Sequence, residues 1–441
     1  MNKLAYRLYR RVSALNHWAQ RRFTTAGWMV LTGLLLTGGM ATDTEQSLGY
    51  QAFAFLFFLS ASAVVVAPFF RAKFSAEREV PRFGSVGRAL PFTVTIHNRS
   101  RRALAGLQVL DNLADPRPSF AEFVAAFRGG SKGRNGKRKS FADAPDPRRV
   151  RGPKPVDLPL LPVGGSASVN LELLPLKRGV LSFASVTLAR PDPFGLFRAF
   201  RHVALPGAVT ILPKRYLLPA FVLPGAQRYQ HGGVALAAAI GESEEFVSLR
   251  DYRPGDPLRR IHWRSWAKTG RPVVKEFQDE FFVRHALVLD TFAAPEELAI
   301  FEEAVSVAAS FACTIDTQES LLDLLFVGPE AFSFTIGRGV AHADQMLELL
   351  ASVQLCADKP FSSLQQIVIE HAEAVSGCIC IFLAWDEPRR ELVKKLTMLS
   401  VPVMVLIIRE AGALPLERRA SDPESLHALE AGKIEEGLAK L

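Results

Sequence analysis

The sequence predicts a multidomain chain: an N-terminal transmembrane α-helical hairpin, a β-sandwich, and a C-terminal α/β domain. Three observations predict this order. Residues 23–41 and 48–70 contain no charged side chain. From Leu90 the apolar residues recur with a period of two, and from His285 near-continuous apolar runs alternate with helical patterns. The 441 residues exceed what one hydrophobic core usually serves, and a mean hydropathy of +0.13 directs attention to membrane spans first. The expected divisions are 1–72 (basic segment and two spans), 73–215 (sandwich), 216–284 (a charge-dense segment), 285–410 (α/β domain) and 411–441 (a helical tail).

Each uncharged stretch is long enough for a hydrocarbon layer of roughly 30 Å. The link between them carries only Asp43 and Glu45. Lys3, Arg7, Arg10, Arg11, Arg21 and Arg22 precede the first span with no acid among them, and Arg71, Lys73, Arg78 and Arg82 follow the second. The positive-inside rule then places both termini in the cytoplasm, giving a multi-pass protein of the cytoplasmic membrane with its soluble domains inside. A cleaved signal peptide and a pair of buried core helices are the alternatives. The second span, seven residues on, opposes the former; Gly27, Gly33, Gly38 and Gly39 oppose the latter.

Between about 78 and 213, six or seven short alternating runs punctuated by Pro and Gly indicate an antiparallel, immunoglobulin-like sandwich. LPFTVTIHN, LAGLQVLD, ASVNLELL and VLSFASVTLA are the clearest. Inside it, residues 128–155 hold ten Lys/Arg against Asp143 and Asp146. This basic loop is either a solvated tail or a contact for anionic lipid, which the collars beside the spans also suit. Its lack of interleaved aromatics argues against nucleic acid as a partner. The formal charge of +9 is therefore local, and the rest of the chain is mildly acidic. A GxSxG match at Gly129–Gly133 and a GK pair at Gly136-Lys137 lack the strand and helix context that their chemistry needs.

In the last domain the apolar runs 286–290, 377–384 and 401–408 predict a parallel sheet covered on both faces. Ligands of such sheets bind beyond the carboxyl ends of the strands, where Asp290 and Asp386 fall. The two carboxylates suit a hard cation such as Mg²⁺, or else cap the helices that follow. Four cysteines with no CxxC pair exclude a disulfide scaffold and a zinc site. Cys378 and Cys380 are expected on opposite faces of one strand.

Residues 241–280 are the densest in ionisable groups. Arg250, Arg253, Arg259, Arg260 and Arg264 can form forked pairs with Glu244, Glu245, Asp251 and Asp256. Pro254-Gly255-Asp256-Pro257 reads as a tight turn, and LRRIHWRSWAK as a short helix burying Ile261, Trp263 and Trp266. Asp256 and His262 are acid/base candidates for a hydrolase. The other reading is an inter-domain network of ion pairs and rings, with no nucleophile–base pair.

The stretch GESEEFVSLRDYRPGDPLRRIHWRSWAKTGRPVVKEF resembles the signature of the bacterial "domain of unknown function 58" family, and LPLKRGVLSF and RPDPFGLFRAF resemble its lead-in segments. The resemblance makes Glu245, Arg250, Tyr252, Gly255, Asp256, Arg260, Ile261, Trp263, Lys275 and Glu276 the interaction residues. It implies a von Willebrand factor A-like C-terminal domain and a MoxR-type AAA+ ATPase as partner. Such domains hold a metal with Asp-x-Ser-x-Ser. Here Asp290 and Asp386 match acidic ligands, while Phe292 and Ala294 replace the two hydroxyls. The expected function is a non-enzymatic adaptor or scaffold without a cofactor. A hydrolase at 241–280 and divalent-cation-dependent ligand binding at Asp290 and Asp386 are the alternatives.

Overall fold

The structure, a computed structural model, describes residues 3–40, 47–114, 120, 150–219, 245–256, 258–278, 283–294, 297–314, 320–328, 331–336, 340–356, 358–413, 416, 418–419 and 422–441. The 41–46 link with Asp43 and Glu45, and most of the basic loop, lie outside these residues, as do both motif matches within that loop.

Helix α1 (Lys3–Arg22) is followed after two residues by α2 (Thr25–Met40), and α3 (Ser47–Val66) ends in a short 3-10 turn. Helices α2 and α3 pack together at small residues, Gly33 against Leu56 and Gly38 against Phe53. Their outer faces are bare: Met29, Leu35, Phe55 and Phe58 are all more than half exposed. Leu48–Val66 is long and apolar enough to cross a membrane. Helix α2 is equally apolar, but its 16 residues extend only about 24 Å. It is shorter than the uncharged stretch because Phe23 and Thr24 leave the helical path to bind the sandwich.

The sandwich has two sheets, and we number its strands in chain order: β1 (Phe74–Glu79), β2 (Phe83–Ser85), β3 (Leu90–Asn98), β4 (Leu107–Leu113), β5 (Val150–Arg151), β6 (Val156–Leu158), β7 (Ser166–Pro175), β8 (Gly179–Pro191) and β9 (Arg198–Leu212). One sheet runs β1-β3-β7-β5 and the other β2-β9-β8-β4-β6. Strand β3 shows why: Leu90, Phe92, Val94 and Ile96 point inward at every second position. They meet Phe183, Val186, Leu188 and Ile211 of the other sheet, each such burial being worth about 2 kcal/mol. Pairing is antiparallel except between β2 and β9.

A two-stranded sheet, β10 (Glu245–Asp251) with β11 (Val273–Gln278), stands apart. The α/β domain follows, with β12 (Val283–Leu289), β13 (Ser320–Val327), β14 (Ala331–Ile336), β15 (Gly377–Phe382), β16 (Val403–Arg409) and β17 (Leu426–Glu430). Their order is β14-β13-β12-β15-β16-β17, all parallel but for the β14 edge. One face takes α5 (Leu298–Thr314) and α6 (Val340–Ser352), and the other takes α7 (Ser362–Ala372) and α8 (Glu387–Met398).

Three expectations need correction. The tail is not simply helical: Leu426 and Leu429 face opposite cores, so the segment joins the sheet as β17 beside β16, and among its described residues only Ile434–Leu438 is helix. The 216 boundary falls inside the α/β core, where Tyr216 and Leu218 are buried and the Tyr216 N–H donates to Ser310 Oγ. Cys378 and Cys380 share one face with sulfurs 3.5 Å apart, because residues two apart on a strand point the same way.

Both lead-in segments turn out to be joints at the two ends of β8. Before it, Arg178 donates to Leu350 O (3.1 Å) and Val353 O at the end of α6, and pairs with Glu302. Gly179 follows at φ +113°, a conformation only glycine adopts without strain. After β8, the buried Asp192 carboxylate accepts from the backbone N–H groups of Phe194, Leu196 and Phe197. That turn exposes the carbonyls of Gly195 and Leu196 to Thr24, whose hydroxyl also accepts from Gly27 N and so caps α2. A Cβ on Gly27 would lie 2.2 Å from Leu196 O, so only glycine lets the helix approach this closely.

Candidate functional site

The signature folds as a local unit. Strands β10 and β11 pair antiparallel, Ile261 bridges to Val274, and His262 N–H donates to Val273 O. Ile261, Val273 and Val274 form its small buried centre. Glu245 opens β10 and Arg250 lies near its end; Lys275 and Glu276 lie on β11. The Tyr252 N–H donates to Pro272 O, and Gly255 sits in the turn.

Arg250 grips Asp256 with both terminal nitrogens, at 2.7 and 2.8 Å, and the Arg253 N–H adds a third donor at 2.8 Å. These hydrogen bonds, from Arg250 first, hold the Asp256 carboxyl down to about 2. Asp256 is thus a turn-forming carboxylate rather than a proton donor at neutral pH.

Helix α4 (Trp263–Thr269) does not bury its rings as expected. Trp263 stacks on Trp266 with centroids 5.2 Å apart, yet remains 63% exposed, and Leu258 beside the turn is 67% exposed. The helix is only seven residues long, and of Ile261, Trp263 and Trp266 only Ile261 joins Val273 and Val274 in the small buried centre. Arg259, Arg260 and Arg264 are exposed on the same segment. Sequence reasoning also missed a contact: His262 Nδ1 lies 2.7 Å from Ser265 Oγ. Its i, i+3 spacing across a helix start was the available signal.

The second site lies at the carboxyl ends of β12 and β15. Asp290 is fully buried; its oxygens accept from Phe292 N (2.9 Å), Leu383 N (3.1 Å) and Arg389 Nε (2.6 Å). Asp386 caps α8 and accepts from Arg389 Nη1 at 2.6 Å. The remaining Arg389 nitrogen donates to Phe292 O, and the Phe361 ring covers the guanidinium at 4.8 Å. Burial lowers the Arg389 pKa, but Asp290 and then Asp386 outweigh it and hold the group above its usual value.

The structure therefore brings Asp290 and Asp386 together, but around an arginine of the same chain. These residues do not fit a divalent cation. Arg389 takes both carboxylates, Phe292 and Ala294 offer no side-chain oxygen, and among the described residues no cluster of three or more His, Cys, Asp or Glu could hold a metal. Of the two expected helix caps, Asp386 is one and Asp290 is not. Arg389 was legible only as a helix residue, because its partner lies ninety-nine positions away.

Comparison with known proteins agrees with the signature. Residues 248–376 match the model of the family described as "Protein of unknown function DUF58". The chain is 28% identical over 199 residues to the uncharacterized protein YeaD of Bacillus subtilis (strain 168), covering 45% of this chain and 48% of that one. It thus spans about half the length of this curated relative. Among solved structures it is similar to a CARDB domain from Pyrococcus furiosus (10% identity, TM-score 0.17, 31% of this chain and 93% of that one). It is also similar to a Salmonella alpha-2-macroglobulin mutant (14% identity, TM-score 0.19, 35% and 8%). Over residues 248–376, the stretch that carries most of the signature, the chain is similar to the DUF58 family.

Proposed function

We propose that this chain is a membrane-anchored, non-enzymatic adaptor. In this reading α2 and α3 form a transmembrane hairpin with both termini in the cytoplasm. An immunoglobulin-like sandwich and a von Willebrand factor A-like domain stand on it, and the signature unit is offered to a MoxR-type AAA+ ATPase during assembly of envelope or metal-dependent complexes. The observation that carries it is the exposed Trp263, stacked on a half-buried Trp266, with Leu258 beside it and arginines around it. Exposed aromatic and arginine side chains are the usual anchors of protein interfaces. The bare apolar faces of α2 and α3 support the anchor. The test is co-purification of the tagged full-length protein from membranes with the AAA+ ATPase of the same genome. Wild type retains the ATPase and Trp263→Ala loses it; an ATPase that never binds, or binds both equally, overturns the reading.

One observation favours a hydrolase instead, the His262–Ser265 contact at 2.7 Å. Asp256, the acid in that reading, is already engaged by Arg250 and Arg253. A Ser265→Ala protein that folds and complements a deletion strain removes the hydrolase.

A further inference from the structure

Where α1, the end of α3 and β9 meet, two clefts share a wall. One, of about 390 Å³, is lined by Arg21, Arg22, Arg201, His202, Asn112 and Thr187. The other, of about 490 Å³, is lined by Trp18, Phe23, Phe197, Val64 and Ala67. Arg22, Phe200 and Arg201 border both, so a cationic chamber opens directly onto an apolar one.

Among the described residues that line it, the cationic cleft has no carboxylate. Asp111, close enough to act on Arg21, is gripped on both oxygens by Arg78 at 2.6 Å. Among the described residues neither Arg22 nor Arg201 pairs with a carboxylate; Arg201 donates to Phe70 O, and Arg22 lies over the Phe200 ring at 4.7 Å. Arg22 Nε is buried with no hydrogen-bond partner among the described residues. Burying donors and positive charge without partners is costly, and a bound anion removes that cost. Burial holds the Arg22 guanidinium below its ordinary value.

The geometry points to a site for one anionic phospholipid, its phosphate among Arg21, Arg22 and Arg201 and the start of an acyl chain along Trp18, Phe23 and Val64. Arginine forks match phosphate oxygens, and the apolar cleft leads away along the end of α3. The site rests on the membrane reading above, since a bilayer around α2 and α3 delivers such a ligand to this position. A free phosphate shares the headgroup chemistry but has no use for the apolar cleft.

The test uses purified full-length protein in non-ionic detergent, titrated with dioctanoyl phosphatidylglycerol, dioctanoyl phosphatidylcholine or inorganic phosphate. Binding is read by native mass spectrometry and by Trp fluorescence. Phosphatidylglycerol binds one per chain and about tenfold or more tighter than phosphatidylcholine. Arg201→Gln, at an exposed position that folding tolerates, and Arg22→Gln each weaken it by about tenfold, whereas Arg10→Gln does not. Equal binding of the two lipids, or an Arg201→Gln protein that binds like wild type, overturns the site. Inorganic phosphate binding as tightly as phosphatidylglycerol overturns the lipid and leaves a soluble-phosphate site. Flotation after reconstitution into phosphatidylcholine vesicles separates the two readings. A protein that floats but does not discriminate loses only the lipid site, and one that does not float loses the membrane anchor and the site with it.

Discussion

Two arginine–carboxylate centres in this chain share a chemistry and differ in consequence. In the signature, Arg250 and Asp256 are six residues apart and open to water, with side chains 35% and 16% exposed. In the α/β domain, Arg389 and Asp290 are 7% and 0% exposed and join chain segments ninety-nine residues apart. Water shares the first pair and competes for each partner, so it shapes a turn and little else. Nothing replaces either partner of the second, so the end of β12, the start of α8 and the loop at Phe292 depend on it. The conspicuous charges of the signature form a surface; the inconspicuous ones hold architecture.

This contrast can be broken most directly at Arg389. Arg389→Ala leaves Asp290 buried and uncompensated and lowers the unfolding free energy by about 3–5 kcal/mol, whereas Arg250→Ala leaves the thermal midpoint unchanged within error. Equal losses in urea titrations of the two proteins abolish the distinction. Replacing both partners, Asp290→Leu with Arg389→Met, costs less than Arg389→Ala alone, because no unpaired charge remains; a double variant worse than the single one contradicts this.

Acid separates the same two regions. His285 on β12 is 1% exposed, and its Nδ1 has no hydrogen-bond partner among the described residues; burial lowers its pKa to about 4. The unfolded imidazole, near 6.5, takes up its proton first. Stability is therefore intact above pH 6.5 and falls by about 3 kcal/mol as the pH drops to 4. Asp256 is shifted the opposite way in consequence. Its carboxylate titrates at about 2 in the fold, so its smaller contribution is complete above the unfolded value near 4 and is lost between there and 2. Hydrogen exchange at stepped pH should open β12 first and β10–β11 later; the reverse order removes the argument.

Much of the fold was legible because burial imposes periodicity. LPFTVTIHN is strand β3 residue for residue, and the three apolar runs of the last domain became β12, β15 and β16. Strand β9 was hidden by Pro206-Gly207 in mid-run and by an exposed middle that breaks the alternation. Strand β17 was hidden by its shortness. The sites were less legible for a different reason. The exposure of Trp263 followed from the size of a seven-residue helix, while Arg389, Arg178 and Thr24 have decisive partners far away in the chain.

Strand β8 sets a length. Its thirteen residues extend roughly 40 Å at about 3.3 Å each, with the Arg178 joint at one end and the Asp192 joint at the other. In the proposed reading, with α2 and α3 in a bilayer, the strand would be a ruler for the stand-off of the α/β domain from the lipid surface. A single inserted residue would turn every inward side chain of one half outward. The strand has already absorbed one such residue: its register against β9 shifts between Phe183 and Ser185. On that reading the strand's length, bulge included, would set the height at which a partner could touch both membrane and α/β domain.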